Sequence, residues 1–327
     1  YIRQRHETER YNRTAPPLDL FDPVYGSGDF GEPVPFAWSS KQRSEQVGLY
    51  AQNQMKVADK WVLMLGGRQD WTESETSPYF GPTEWSRETD NAFTGRVGGV
   101  YLADNGLAPF ISYSQSFEPT SGTDRNGNQF EPTRGEQYEL GVRFQPEGWD
   151  TMLTATAYEL TQENVSVTDP VDTSFQTQIG EVRSRGVELE AKTALGPNAN
   201  LVAAYTYTDA RTTKSSPVTP DQVGRRTANT PYNQFSLWSD YRFGDFGLPG
   251  LKVGGGVRYV GPTRATWVAG EVPSFTLVDT RVSYETGSWV YALNATNLTD
   301  KTYIESCTYG CFYGEPRSIV GSVSYQW

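Results

Sequence analysis

Near its carboxyl end the chain repeats with a period of two residues. Ile319, Gly321, Val323, Tyr325 and Trp327 alternate with Ser318, Val320, Ser322, Ser324 and Gln326. Only an extended strand puts such sets on opposite faces; a helix would mix them. Tyr138, Leu140, Val142 and Phe144 alternate likewise with Gln137, Glu139, Gly141 and Arg143. Val187, Leu189 and Ala191 oppose Glu188, Glu190 and Lys192, and Val278, Val282 and Tyr284 oppose Asp279, Arg281 and Glu285. Alternation and turn residues together predict about fourteen strands, starting near residues 1, 44, 61, 92, 109, 134, 151, 180, 201, 229, 251, 274, 289 and 316.

The expected connections alternate in length. Short turns hold Asp104-Asn105-Gly106, Pro146-Glu147-Gly148, Gly196-Pro197-Asn198 and Thr286-Gly287-Ser288. Long polar intervals run through 11–43, 73–91, 119–133, 164–178, 212–228 and 301–315. Short turns on one rim and long loops on the other are the asymmetry of an outer-membrane barrel. Trp61, Trp71, Tyr101, Trp149, Tyr241, Phe243, Trp289 and Trp327 lie near strand ends, where they suit an interfacial girdle. The fold class is therefore read as all-β, an antiparallel transmembrane barrel.

Composition agrees once the barrel is considered. A mean hydropathy of -0.59 and the lack of an apolar run long enough for a membrane helix would suggest a water-soluble protein. A barrel strand shows only alternate residues to lipid, so its average stays polar. A net charge of -11 argues against a nucleic-acid partner, because a phosphate-binding surface needs clustered Lys and Arg. The segment Tyr1 to Arg10 is charged and is no signal peptide, so the native start is expected upstream.

Chemistry-bearing motifs are sparse. Cys307 and Cys311 are expected to form one local disulfide in an oxidising compartment; no second pair or nearby histidine completes a metal site. His6 is the single histidine, in a charged segment, which leaves a Ser-His-Asp hydrolase without support. There is no GxxxxGK[ST] sequence, and no carboxylate pair stands out. The chain is read as a non-enzyme without intrinsic cofactor or metal.

A resemblance to a family sharpens this. The segment Asp300-Lys301-Thr302-Tyr303-Ile304-Glu305-Ser306-Cys307, then Tyr309-Gly310-Cys311-Phe312-Tyr313-Gly314-Glu315-Pro316-Arg317 and the final aromatic, resembles the terminus of TonB-dependent ferric siderophore receptors, most nearly those for ferrichrome (ferric hydroxamate) and ferrioxamine. In the same order, so do residues 15–25, Leu65-Gly66-Gly67-Arg68-Gln69-Asp70-Trp71, 112–119, Gly135-Glu136-Gln137-Tyr138-Glu139-Leu140-Gly141-Val142, Arg185-Gly186-Val187-Glu188-Leu189-Glu190-Ala191 and 205–210.

The resemblance implies a barrel of about 22 strands closed around an amino-terminal plug. Residues 1–327 would then be its carboxyl-terminal portion, with the plug, the first strands and the box that contacts TonB outside this sequence. It also implies a monomer in the outer membrane of a Gram-negative bacterium, surrounded by lipid and lipopolysaccharide and energised by TonB–ExbB–ExbD. Its ligand would be an Fe(III)–siderophore complex. Such a complex already satisfies iron with six oxygens, so recognition falls to side chains that bury its organic shell, chiefly aromatics. By position within matching motifs, Phe36, Trp38 and Phe117 are expected to touch it, with Tyr309 and Phe312 of the cysteine loop as further candidates. Trp327 resembles the terminal aromatic read by the barrel-assembly machinery. Glu139, Arg143, Glu188, Glu190, Asp279 and Arg281 are expected to line the lumen and pair with one another or with the plug. A passive porin is the competing reading, and a soluble carbohydrate-binding β-protein a third.

Overall fold

A computed structural model describes residues 1–13, 31–36, 39–266, 270–308 and 310–327. Fourteen strands form one sheet: β1 (Ile2–Thr8), β2 (Ser40–Val57), β3 (Trp61–Pro78), β4 (Ser86–Tyr101), β5 (Leu107–Glu118), β6 (Thr133–Phe144), β7 (Thr151–Thr168), β8 (Gln176–Ala194), β9 (Ala199–Lys214), β10 (Asn233–Arg242), β11 (Leu251–Val260), β12 (Phe275–Thr286), β13 (Trp289–Thr296) and β14 (Ser318–Tyr325). Every strand pairs antiparallel with its sequence neighbour, in unbroken order from β1 to β14.

The register carries the two-residue period across the whole sheet. Val47 faces Trp71, Leu65 faces Val97, Ile111 faces Leu140, Ala155 faces Leu189, Val257 faces Val278 and Leu293 faces Gly321. One face is thus apolar from β2 to β14, with Leu49, Leu65, Ile111, Leu140 and Leu293 all exposed. The other holds Gln52, Arg96, Ser112, Glu139, Thr156, Glu188, Ser236 and Ser322. A row of exposed Leu, Ile and Val is costly in water and suits lipid; the polar face suits a barrel interior.

Local chemistry explains the short turns. Gly106, Gly148, Gly196 and Gly287 all take positive φ, and the β2–β3 turn uses Ala58 and Asp59 at φ 50 and 56. Large rings on the polar face lie flat against glycines of the next strand. An added Cβ on Gly256 would sit 2.6 Å from the Trp238 ring, its direct register partner.

Aromatic residues gather at the short-turn rim. Trp61 packs on Tyr101 at 4.8 Å, Tyr241 on Phe243 at 5.1 Å, and Trp289 on Tyr325 at 4.9 Å. Trp71 departs from expectation. β3 runs on past it to Pro78, so it lies within a strand on the apolar face, ten residues above Trp61. At about 3.3 Å per residue and a tilt near 40°, that is about 25 Å along the barrel axis, the height of an outer-membrane apolar band. Trp71 therefore suits the opposite girdle, as do Tyr113 and Tyr138, whose rings lie 4.9 Å apart on the same face.

The long loops also differ from expectation. β3, β4, β7 and β8 extend into intervals read as loops, leaving connections of only 79–85 and 169–175. Cross-strand pairing at their polar outer ends, such as Glu73 with Arg87, continues the ladder where composition alone looked irregular. A long connection at 261–274, between β11 and β12, was not anticipated.

Replacing Leu140 by Arg on the apolar face of the complete protein should cost about 2–4 kcal/mol in a bilayer, whereas Thr156→Lys on the polar face beside Glu188 should cost about nothing. Urea titration of the folded fraction in lipid checks this, and equal costs would refute the facial assignment.

Candidate functional site

The long loops form two hydrogen-bonded groups. In the first, Glu88 accepts from the Gly122 amide at 3.0 Å, Gln129 donates to the Arg87 carbonyl, Gln178 bonds Glu131, and Arg125 approaches Asp169 at 3.8 Å. The Asn128 side chain and the amides of Asn126 and Asn128 donate to Asp124; the amides of Val171 and Asp172 donate to Asp169. These donors hold both carboxyls below the usual carboxylate range.

The second group joins the last three loops. Segment 223–232 lies along β9, with Thr227 donating to Ala210 and Gly224 to Thr212. The Arg226 guanidinium stacks 3.5 Å from the Tyr232 ring centroid and donates to Thr230. Asn229, at φ 54, donates its amide to Arg264 and accepts the Cys307 amide at 3.3 Å. Cys307 is bonded to Cys311 in a short hairpin and packs against Ala265, Val272 and Ile304. Asn297, almost fully buried, ties the base of this loop to Lys301, Glu315 and Asp279.

The expected contact residues are distributed as follows. Phe36 is half-buried in the β1–β2 loop, its amide donating to Arg10 at 2.9 Å. Phe312 is exposed in the cysteine hairpin, in register with Ser306. Phe117 corrects the sequence reading: it shares the parity of Ile111 and Tyr113, so the register turns it to the apolar face rather than the interior. Trp38, Tyr309 and the matching segment 15–25 lie outside the described residues. Of the polar-face charges, Asp279 pairs with Arg258 at 2.6 Å and Glu139 accepts from Ser112 and Gln137. Arg143, Glu188, Glu190 and Arg281 make no ion pair or hydrogen bond among the described residues, so they do not pair with one another as one alternative held. Trp327 ends the chain fully exposed, 6.5 Å from Tyr325.

Sequence reasoning missed a cleft of about 320 Å³ on the polar face at the long-loop end, lined by Gln4, His6, Gln42, Ser44, Gln46, Thr72, Ser74 and Glu118. Parity could have grouped these residues on one face; the register between β1, β2 and β3 needed the structure. A larger cavity of about 620 Å³, including Met64, Phe110, Glu139 and Arg143, lies at the short-turn end, away from the loops. No group of His, Cys, Asp and Glu that could hold a metal occurs among the described residues.

Residues 3–298 match the family model described as TonB dependent receptor-like, beta-barrel. The chain belongs to the TonB-dependent receptor family. It is 39% identical over its full length to the ferrichrome outer membrane transporter/phage receptor of Escherichia coli, covering 45% of that protein. It is 40% identical over 99% of its length to the ferrioxamine B receptor of Salmonella typhimurium, covering 46%. The chain thus spans about half the length of these curated relatives. Among solved structures, the ferric-catecholate import receptor Fiu of E. coli superposes with a TM-score of 0.76 at 21% identity, over 98% of this chain and 50% of that one. That likeness concerns the fold alone. As a member of this family, the chain is an outer-membrane β-barrel protein of a Gram-negative bacterium.

Two outcomes follow from the loop geometry. Replacing Cys307 and Cys311 together by Ser removes closure of a loop of about five residues, worth about 2 kcal/mol locally. Proteolysis should then cut within 297–317 and 261–274 while the strands stay intact. The depressed carboxyls of Asp124 and Asp169 stabilise their loops above the unfolded carboxylate range, and that support is lost as pH falls through their lowered values. Cleavage of 119–132 by pepsin, normalised to an unfolded control substrate at each pH, should accordingly rise as acidification protonates these carboxyls, and a normalised rate that does not change with pH would contradict it.

Proposed function

We propose that this chain is the carboxyl-terminal wall of an outer-membrane receptor that actively imports a ferric hydroxamate siderophore, ferrichrome-like or ferrioxamine-like. The observation that carries the reading is near-40% identity, over essentially the whole chain, to two receptors named for ferrichrome and ferrioxamine B. The apolar face of β2 to β14 and the loop-bearing rim accord with it.

In this reading the outer edges of β1 and β14, which carry no strand partner among the described residues, are joined by upstream strands, and the plug fills the polar interior. TonB–ExbB–ExbD would pull on that plug through a box outside this chain. The receptor needs no cofactor and works as a monomer; the iron is cargo. Above the Trp71 level, the apolar face gives way to pairs such as Arg3–Glu45, Arg87–Glu73 and Arg185–Glu159, suited to lipopolysaccharide headgroups. Trp327 serves as the assembly signal, and its deletion should lower the amount of folded barrel in the membrane.

Ligand contact is assigned to Phe36, Trp38, Tyr309 and Phe312 on the loops, with the polar face below them. A passive porin remains the competing function, separated by energy dependence of uptake. In the complete receptor, Trp38→Ala or Phe312→Ala should weaken binding of an iron-loaded hydroxamate by about tenfold without lowering barrel abundance. Phe117→Ala, on the other face, should leave it unchanged. Failure of a panel of iron-loaded hydroxamates to bind the complete receptor, or uptake indifferent to the proton gradient, would overturn the reading.

A further inference from the structure

The short-turn rim is uneven around the sheet. Turn residues 58–60 (β2–β3), 103–106 (β4–β5) and 286–288 (β12–β13) are small or polar, and Lys60 of the first pairs with Asp104 of the second at 2.7 Å. The three turns between them in sheet order differ. Trp149 sits in the β6–β7 turn and is 70% exposed, exposed Leu195 opens the β8–β9 turn, and the β10–β11 turn carries Phe243, Phe246 and Leu248. Because the strands pair in sequence order, these three turns are neighbours and form one apolar arc over β6–β11. Leu102, beside the β4–β5 turn, lines the inner cavity instead.

The arc continues the lipid face. A short 3₁₀ helix, Phe243–Phe246, closed by Gly247 at φ 73, folds the β10–β11 turn so that Phe246 packs 6.2 Å from Tyr241 and 5.7 Å from Phe243. Tyr241 is in register with Ala199 and Val253 on the outward parity, so this cluster hangs on the membrane side of the rim. Phe246 is nevertheless 70% exposed. Charge is equally one-sided. Glu147 and Asp245 are exposed in the arc, whose turns, 145–150, 195–198 and 243–250, contain no Lys or Arg. The nearest bases, Arg143, Lys192, Arg242 and Lys252, hold inward parity, and Asp150 shares an inner recess with Lys192. Asn198 and Tyr241 both donate to Oδ2 of Asp245. The outward strand positions next to this part of the rim, among them Phe144, Leu153, Leu201 and Val253, carry no charge.

We infer that the β6–β11 arc is a docking surface for phospholipid of the periplasmic leaflet, and that it favours a zwitterionic headgroup bearing a primary ammonium over a net anionic one. Exposed Trp, Phe and Leu directly below a lipid-facing wall take the boundary between acyl chains and headgroups, where apolar surface leaves water without the backbone entering hydrocarbon. Phe246, Leu248, Leu195 and Trp149 therefore sink this sector to the acyl boundary, while the polar turns of β2–β5 stay in water. At that depth Glu147 and Asp245 meet headgroups. A net anionic lipid is repelled there, because no outward base offsets the two carboxylates, whereas an ammonium is attracted. Both carboxylates are solvated, so the preference is about twofold and shrinks with salt. The inference stands on the outer-membrane barrel and is independent of what the receptor imports.

The test uses the complete protein in vesicles of phosphatidylethanolamine and phosphatidylglycerol, with a compact fluorophore attached through Phe246→Cys or, as the polar-arc control, Asp104→Cys. Each vesicle carries the same mole fraction of one quencher lipid, nitroxide-labelled near the head of the acyl chain and bearing either the ethanolamine or the glycerol headgroup. Both quenchers should dim the probe at 246 at least twofold more than the probe at 104. At low salt the ethanolamine lipid should quench at 246 as though about twofold more concentrated than the glycerol lipid. Adding Glu147→Gln and Asp245→Asn, which keep the side-chain shapes, should bring that ratio to one. Quenching at 246 no greater than at 104 would overturn the docking surface, including the case of a protein partner covering the arc. Equal quenching by the two lipids at 246, or a ratio unchanged by the double substitution, would overturn the headgroup preference.

Discussion

Everything in this protein depends on backbone pairing between neighbouring strands. In hydrocarbon an unpaired N–H or C=O costs several kcal/mol, so a chain that crosses a bilayer by strands must satisfy each group on the next strand. Strictly sequential antiparallel order achieves this with the shortest connections, six turns at one rim and longer loops at the other. Once pairing is fixed, side-chain direction has no freedom left. Each residue belongs to the lipid face or to the interior, and a slip of one position would exchange the two.

That constraint also arranges the charges. Near the long loops, Arg3, Arg43, Glu73 and Arg87 fall on the outward face and pair across strands, while Gln4, Gln42 and Ser74 fall on the inner one. Deeper on the polar face, the side chains of Arg143, Glu188, Glu190 and Arg281 have no partner among the described residues, a hydrated state that costs little until another surface covers them. In the last three loops, by contrast, Asn229 bonds across to the cysteine loop, while Arg226, Asn297 and the disulfide each tie their own loop. This part of the rim is preorganised, which lowers the entropy lost when a ligand orders it.

How much could be read beforehand differs by residue. The strand starts at 61, 151, 251 and 289 coincide with those expected, because Trp61, Thr151, Leu251 and Trp289 follow turn residues and open clear alternation. The loop bounds at 73–91 were misplaced: the outer ends of β3 and β4 are polar on both faces, so period gives no signal and only cross-strand pairing reveals a strand. Phe117 was chosen by its place in a motif, and parity with Ile111 turns it outward. The cleft of His6 and Glu118 joins residues more than a hundred positions apart, beyond the reach of any local pattern.

The sequence by itself determined the strand period, the two faces, the alternation of turn lengths, the cysteine pair and the resemblance to siderophore receptors, because each is written in neighbouring side chains. Tertiary structure alone decided which strand positions stand opposite one another, how three distant loops lock through Asn229 and Cys307, and which inward-facing charges have no partner among the described residues. Those outcomes depend on the register between strands, and register is a property of paired backbones that no single segment encodes.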